Sequence, residues 1–222
     1  MKKYFKEMFG GRFTKREIQC FQTLRKADRP VLRLLDIGAI GGLTLRWAPF
    51  EKLIHATLVD PAFADDAIAC DAGQRDVLCE YLGASKQVRV FYETPAPFQS
   101  SFLRPNFNLL NKYPCKERFY TAETIVSVNT LDNIGTGDYD FIKLDVQGFE
   151  IDVLSGAQES LKQTLGVELE VGFAEVYQNQ PRFGEVTSFL ENHGFEFIDF
   201  LKIAKWDRTK LRGSDNAIFS DC

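Results

Sequence analysis

The sequence predicts an α/β fold: a doubly wound, mostly parallel seven-stranded sheet with an antiparallel hairpin at its edge. Apolar segments of strand length alternate with segments of helical periodicity over most of the 222 residues, which predicts right-handed crossovers. Two of the apolar segments end in Asp36 and Asp145, and each continues through a glycine turn into a predicted helix. The last two apolar segments have no helix between them, which predicts the hairpin.

The predicted strands are short apolar runs bounded by turn residues. Pro30 ends the first predicted helix, and Pro61 stops the second strand because proline cannot donate a hydrogen bond to a sheet. The predicted strands cover 31–37, 54–59, 87–91, 139–146, 165–176, 195–205 and 216–220, and 123–128 is strand-like.

The predicted helices rest on apolar residues that repeat every three to four positions and on residues typical of helix ends. Thr14 with Glu17 forms a capping box at the start of the first helix, and Gly83 is the predicted C-cap of the third. The predicted helices cover 14–27, 43–50, 74–82, 149–161 and 183–193. Over 94–117 the pattern fades into a proline-rich stretch with three phenylalanines, which predicts a substrate-side loop.

The composition predicts one globular domain over 31–222, preceded by a helical extension at 1–30. Hydrophobic residues make up 45% of the chain and charged residues 26%. The formal net charge of −4 argues against a nucleic-acid partner. Five cysteines without a CxxC pair predict free thiols in the reducing cytoplasm, and no apolar run approaches the ~20 residues of a membrane span. The oligomeric state stays open.

The first glycine turn predicts a cofactor site. Asp36, Gly38 and Gly42 follow the first strand, without the GxGxxG spacing of a dinucleotide site or the lysine of a phosphate loop. A carboxylate before the glycines repels a pyrophosphate and attracts a cation, such as the ammonium of a cofactor that contains an amino acid. Asp60 lies at the end of the second strand, where a carboxylate can accept both hydroxyls of a ribose.

The second glycine turn predicts a catalytic site around Asp145. This carboxylate can take the proton of a hydroxyl group. Lys143 lies on the same side of the strand, so it either tunes Asp145 or forms a structural ion pair with it. Glu150 is a further candidate for a catalytic residue. The alternative is that it is only an acidic residue in the first helical turn, where the helix dipole favours a negative charge. Asp145 and Glu150 together could bind a divalent ion, but nothing else in the sequence supports a metal, so none is predicted.

Several segments together resemble the FkbM family of S-adenosylmethionine-dependent methyltransferases. The resemblance covers roughly 31–220, and its central block is the most specific. The segments that carry it are DFIKLDVQGFE (140–150), VLSGA (153–157), TLD (130–132), Glu170, VYQNQPRF (176–183) and SDNAIF (214–219).

The resemblance implies the class I methyltransferase (Rossmann-like) fold and O-methylation of a hydroxyl, often on a carbohydrate or secondary metabolite. S-adenosyl-L-methionine would be the cofactor, and a small molecule or glycan would be the acceptor. Asp36, Gly38 and Gly42 would hold the methionine end of the cofactor, and Asp60 would hold its ribose. Asp145 would stand beside the transferred methyl group. Ser101 belongs to a Ser-Ser-Phe element that resembles the family's Ser-Ser-Leu element near the cofactor.

The chain departs from the family pattern at three positions. Ile40 replaces the usual asparagine, Asp60 replaces the usual glutamate, and Gln147 replaces a glutamate next to the predicted catalytic site. Two alternative functions remain. An NAD(P)-dependent oxidoreductase would want the GxGxxG turn that is missing here, and Gln147 makes a non-catalytic binding module conceivable.

Overall fold

The computed structural model describes residues 32–43, 47, 53–64, 75–135, 137–204 and 206. The predicted extension at 1–30, most of the predicted helix at 43–50 and the predicted strand at 216–220 lie outside these residues. The described strands are β1 (Leu32–Ile37), β2 (Ile54–Val59), β3 (Arg75–Leu78), β4 (Tyr81–Leu82), β5 (Gln87–Glu93), β6 (Ala122–Asn129), β7 (Phe141–Leu144) and β8 (Gly166–Leu169). The described α-helices are α1 (Phe107–Leu110), α2 (Leu131–Ile134), α3 (Glu150–Ser155), α4 (Gln158–Gln163) and α5 (Phe183–Glu191).

The main sheet is parallel and has the strand order β3-β2-β1-β7-β8. The chain leaves β1 toward β2 on one side and reaches β7 on the other, so the order reverses between β1 and β7. In open α/β sheets the ends of the strands beside such a switch point form a crevice for ligands. The predicted α/β class with a mostly parallel sheet is confirmed.

Both faces of this sheet are covered, as the doubly wound prediction requires. Leu34 and Leu35 are adjacent and fully buried, yet they pack into two different hydrophobic clusters, because successive side chains of a strand point to opposite faces. One cluster contains Leu34, Ala39, Ile54, Ala56, Leu58 and Phe63. The other contains Leu35, Ile37, Val59, Leu144, Phe149, Val153, Leu154 and Leu161, among others.

The prediction of seven strands in one sheet is wrong in detail. The described main sheet has five strands, and β4, β6 and β5 form a separate sheet of three, in which β5 is antiparallel to β6. Two strands predicted at 87–91 and 123–128 therefore pair with each other. Strand pairing is a long-range property, so the sequence located these strands without locating their partners.

The helix predicted at 74–82 is also wrong, because this segment contains β3 and β4. Val77 packs against one hydrophobic cluster and Leu78 against the other, as alternating strand residues do. Cys79 and Glu80 separate the two short strands. Apolar residues at 77, 78, 81 and 82 fit a helical period equally well, so the pattern was ambiguous.

The edge hairpin is not formed by the described residues. Residues 195–204 contain no strand, and the second predicted strand lies outside the described part. The strand predicted over 165–176 is shorter than expected and covers Gly166–Leu169. Beyond it, Gly172 forms an isolated bridge with Arg182 just before α5.

The segment 130–132 joins two short helices through its side chains. The Thr130 hydroxyl accepts a hydrogen bond from the Asn133 amide at 3.2 Å and caps α2. The Asp132 carboxylate accepts from the amides of Glu159 at 2.9 Å and Ser160 at 3.0 Å, at the start of α4. This part of the resemblance thus has a structural role.

Candidate active site

The two glycine turns meet at Gly38. Its φ of +77° lies in the left-handed region, and its amide donates to the Val59 carbonyl at 2.9 Å. A Cβ atom at this position would lie 2.0 Å from the carbonyl oxygen of Asp145. Only glycine allows this approach, which brings the loop after β1 against the loop after β7. The two motifs that the sequence singled out therefore form one site.

Asp60 holds the first glycine turn in place. Its carboxylate is buried and accepts from the amides of Ile40 at 3.1 Å and Ala62 at 2.8 Å. Burial raises the pKa of Asp60, and these two backbone donors oppose the rise. Gly41 and Gly42 both have positive φ, and a Cβ at either position would meet no atom of the described residues within 4 Å. The turn thus borders open space, and each Asp60 oxygen keeps a second lone pair for a ligand.

Lys143 binds Asp36. The two residues are register partners on β7 and β1, and the distance from Lys143 Nζ to Asp36 Oδ1 is 2.8 Å. The side chain of Asp36 is 0% exposed and that of Lys143 is 11% exposed. An ion pair was one of the two predictions for Lys143, but its partner is Asp36 instead of Asp145. The predicted methionine-end ligand Asp36 is thus already neutralised from within the protein.

Glu150 supports the loop after β7. Its side chain is buried, and Oε1 accepts from the amides of Gly148 at 3.1 Å and Val146 at 3.3 Å. Burial raises the pKa of Glu150 to about 7, against the effect of these backbone donors, and the charge of Asp145 adds to the rise. The geometry gives Glu150 the role of holding the backbone of the loop after β7.

Gln147 lies at the centre of a hydrogen-bond network that the sequence did not reveal. Its φ of +54° is unusual for a residue other than glycine. Its Nε2 donates to Asp145 Oδ1 at 2.8 Å and to Glu170 Oε2 at 2.9 Å, and its Oε1 lies 3.0 Å from the donating hydroxyl of Tyr177. The residue that the sequence marked only as a departure connects β7, β8 and the loop at Tyr177.

Glu170 was not among the predicted site residues, although it belongs to the resembling segments. It follows β8 and faces Asp145 across the amide of Gln147. Burial, together with the hydrogen bond and the negative charge of Asp145, raises the pKa of Glu170 to about 8. The Gln147 hydrogen bond opposes this rise. Glu170 therefore keeps its proton more readily than an exposed glutamate does at neutral pH.

Ser101 holds the backbone of this network. Its buried hydroxyl donates to the carbonyl of Gln147 at 2.8 Å and accepts from the amide of Leu103 at 3.0 Å. The structure thus places this predicted cofactor ligand against Gln147. Nearby, the carbonyl oxygen of Gln99 lies 2.9 Å from the Tyr177 hydroxyl. Within the described part of the chain, Gln99 Oε1 is a buried acceptor without a hydrogen-bond partner.

A cavity of about 1480 Å³ extends from this network along β8. Asp145, Gln147 and Glu170 line one part of it, and four phenylalanines line another. Neighbouring rings of these four have centroids between 4.9 and 5.9 Å apart. The four are Phe173, Phe183, Phe197 and Phe200. The cavity offers polar groups for a reacting atom and an aromatic wall for the body of a substrate.

Over the described ranges, no group of three or more His, Cys, Asp or Glu side chains is arranged to hold a metal ion. None of the helices in those ranges has the length and apolar character needed to cross a bilayer.

Comparison with known proteins links the site to a family. The sequence model described as Methyltransferase FkbM domain matches residues 73–197, which is more than half of the chain. A crystal structure of an FkbM methyltransferase from Methylobacillus flagellatus is similar, with 14% sequence identity and a TM-score of 0.42. The match covers 72% of this chain, which spans 37% of that longer protein. No curated protein sequence matches.

Proposed function

The chain belongs to the FkbM methyltransferase family, and on this premise we propose that it transfers a methyl group from S-adenosyl-L-methionine to a hydroxyl oxygen of a small molecule or glycan. The matched residues 73–197 lie within the domain predicted over 31–222. Because β1 and β2 precede the matched segment and pair within the same sheet, we assign them to the same domain.

The observation that carries this proposal is the contact between Gly38 and Asp145. It places the glycine turn beside Asp145 and Glu170, two partly buried carboxylates that share the amide of Gln147. Methyl transfer to a hydroxyl needs both elements within one site, because the oxygen must face the methyl group and lose its proton.

Asp60 and the glycine turn fit S-adenosyl-L-methionine, whereas the Asp36 carboxylate already has a partner within the protein. Asp60 and the turn from Gly38 to Gly42 would hold it, because Asp60 retains lone pairs and the turn is open above Gly41 and Gly42. Asp36 would contribute through the position of the turn, since its carboxylate pairs with Lys143. When bound, the cofactor supplies an electrophilic methyl group whose bond to sulfur breaks as the bond to the acceptor oxygen forms.

The protein's own contribution is to place and deprotonate the acceptor. Asp145 and Glu170 line the cavity, so a hydroxyl that enters it can donate its proton to this pair. The four phenylalanines provide a surface against which the ring of a sugar or metabolite can pack.

The test is binding of S-adenosylhomocysteine, measured by calorimetry and thermal shift, with NAD as the control. We expect S-adenosylhomocysteine to bind and to raise the melting temperature, and NAD to do neither. Binding of NAD alone would favour an oxidoreductase. Binding of S-adenosylhomocysteine without transfer to any member of a broad hydroxyl library would favour a non-catalytic module.

We also place the protein in the cytoplasm. Cys79 and Cys115 are free thiols within the described residues, and free thiols are typical of a reducing compartment. A reporter fusion sensitive to disulfide formation would measure the compartment directly.

A further inference from the structure

The side chain of Gln147 uses its hydrogen-bonding capacity on three neighbours. A primary amide has two N–H donors on one nitrogen and one carbonyl acceptor. The two donors of Gln147 Nε2 go to Asp145 at 2.8 Å and Glu170 at 2.9 Å, and the carbonyl accepts from Tyr177 at 3.0 Å. The two carboxylates set the orientation of the amide, because the opposite orientation would direct its oxygen at both of them. The Tyr177 hydroxyl has one proton, which lies within reach of Gln147 Oε1 at 3.0 Å and of the Gln99 carbonyl at 2.9 Å.

The backbone of Gln147 is fixed as firmly as its side chain. The left-handed φ of +54° directs the side chain back between β7 and β8. The Ser101 hydroxyl holds the carbonyl of Gln147 at 2.8 Å, and Glu150 holds the amides of Val146 and Gly148 on either side. The amide group therefore occupies a defined place between the two carboxylates.

An amide in this place has two effects on the pair. It binds one oxygen of each carboxylate without adding charge, so the pair can hold a single shared proton. It also fills the position between Asp145 and Glu170 from which a divalent cation would bind both carboxylates. A glutamate of the same shape would place a third carboxylate there, and three carboxylates at such distances need a cation or more protons.

We propose that Gln147 is a positioning residue that joins Asp145 and Glu170 into one proton-sharing base and takes the place of a divalent cation between them. Its use as a base in methyl transfer rests on the proposed function. In that reaction the proton leaves the acceptor hydroxyl for the ionised carboxylate of the pair, and the amide keeps both carboxylates in place before and after the transfer.

Other charged groups around the pair are the background for any pH measurement. Glu150 from α3 faces Glu170, and Asp60 at the end of β2 faces Asp145. The Tyr177 hydroxyl faces the pair through Gln147, and the Lys143–Asp36 ion pair lies at the end of β7 and β1. The test variants leave all of these residues unchanged.

The test compares wild type with Gln147→Glu, Gln147→Met and the control Gln163→Glu. Gln163 lies exposed on α4, so its variant adds the same charge away from the site. Titration of Glu170 is followed by NMR of ¹³C-labelled carboxyl groups, and Glu170→Gln assigns the signal. We expect the midpoint to rise by about one pH unit or more in Gln147→Glu, and by less in Gln147→Met, which only loses the donor. The control should titrate as wild type does.

The second measurement is Mn²⁺ binding by calorimetry. We expect Gln147→Glu to bind Mn²⁺ about tenfold more tightly than wild type or the control. Wild-type midpoints in both Gln147 variants, or equal Mn²⁺ affinity in wild type and Gln147→Glu, would overturn the proposal. If Gln147→Glu does not fold, Gln147→Met still decides the titration. Neither measurement needs cofactor or acceptor, so a failure to bind S-adenosylhomocysteine would count against the proposed function alone.

Discussion

Carboxylates lie at the ends of β1 and β2, where they are buried, and at the ends of β7 and β8, where they are partly buried, and their partners differ between the two regions. On the β1–β2 side, Asp36 pairs with the ammonium of Lys143, and Asp60 accepts two backbone amides. On the β7–β8 side, Asp145 and Glu170 face each other across a neutral amide. The first region stabilises fixed charges that shape a binding turn. In the second region a neutral amide donates to both carboxylates, which leaves them able to accept a proton as the proposed base must.

The largest expected effect comes from removing the cation of the first region. Lys143→Met leaves the Asp36 carboxylate buried without its counter-charge, and such a change costs about 3–5 kcal/mol. Urea denaturation at pH 7 measures the loss. The double variant Lys143→Met with Asp36→Leu should recover much of it. A loss below about 1 kcal/mol in the single variant would mean that the ion pair does not neutralise Asp36 as described.

The contact between the two regions gives the second effect. Gly38→Ala should cost about 3 kcal/mol, because its Cβ would collide with the Asp145 carbonyl and its φ is strained for alanine. Gly41→Ala is the matched control. It has a similar φ of +84° but open space around a Cβ, so it should cost only about 1 kcal/mol. Equal losses of stability in Gly38→Ala and Gly41→Ala would contradict a close contact between Gly38 and the Asp145 carbonyl.

Asp60→Ala tests whether the first region binds the cofactor. We expect S-adenosylhomocysteine to bind more weakly by about 1–3 kcal/mol, because its ribose hydroxyls lose their acceptor and the glycine turn loses its support. Calorimetry measures the affinity. Asp76→Ala, at an exposed residue of β3, should bind as wild type does. An unchanged affinity in Asp60→Ala would remove this residue from the site.

The smallest expected effect is the change in unfolding free energy per pH unit that Glu170 causes. Its pKa is raised to about 8 from the ordinary value of 4.5, so the folded protein binds the extra proton and loses stability as the pH rises between these values. One proton contributes a slope of at most about 1.4 kcal/mol per pH unit. Glu170→Gln should remove this slope, measured by urea denaturation from pH 5 to pH 9. The same slope in wild type and variant would show that Glu170 is ionised throughout.

Much of the main sheet could be predicted from local patterns. The first two strands, the strand before Asp145 and the helix starting at Phe183 lie close to their predicted positions, because each has a clear period and clear ends. The second sheet could not be predicted, because β5 pairs with β6 across the whole intervening segment 94–121. Nor could the short strands at 75–78 and 81–82, whose apolar residues fit two periods equally.

The candidate site shows the same division. The sequence predicted functional carboxylates at the ends of strands, and Asp60 and Asp145 lie near enough for the charge of Asp145 to raise the pKa of Asp60. The partner of Lys143 depended on the register between β1 and β7, which no local pattern specifies. The contacts of Gln147 depend on its own left-handed backbone conformation, and those of Glu170 depend on the position of β8 beside β7. A glutamine in the loop after a strand that ends in aspartate is a signal too weak to reveal them.

The approach of Gly38 to the carbonyl of Asp145 has a consequence for the order of events in a catalytic cycle. The loop after β1 and the loop after β7 are in direct backbone contact, so they cannot move independently. A ligand that fixes the position of the first loop therefore also fixes the position of the second. We therefore expect the donor to bind before the acceptor, with the empty enzyme showing little affinity for the acceptor alone. Initial-rate kinetics with product inhibition would show this as a compulsory sequence.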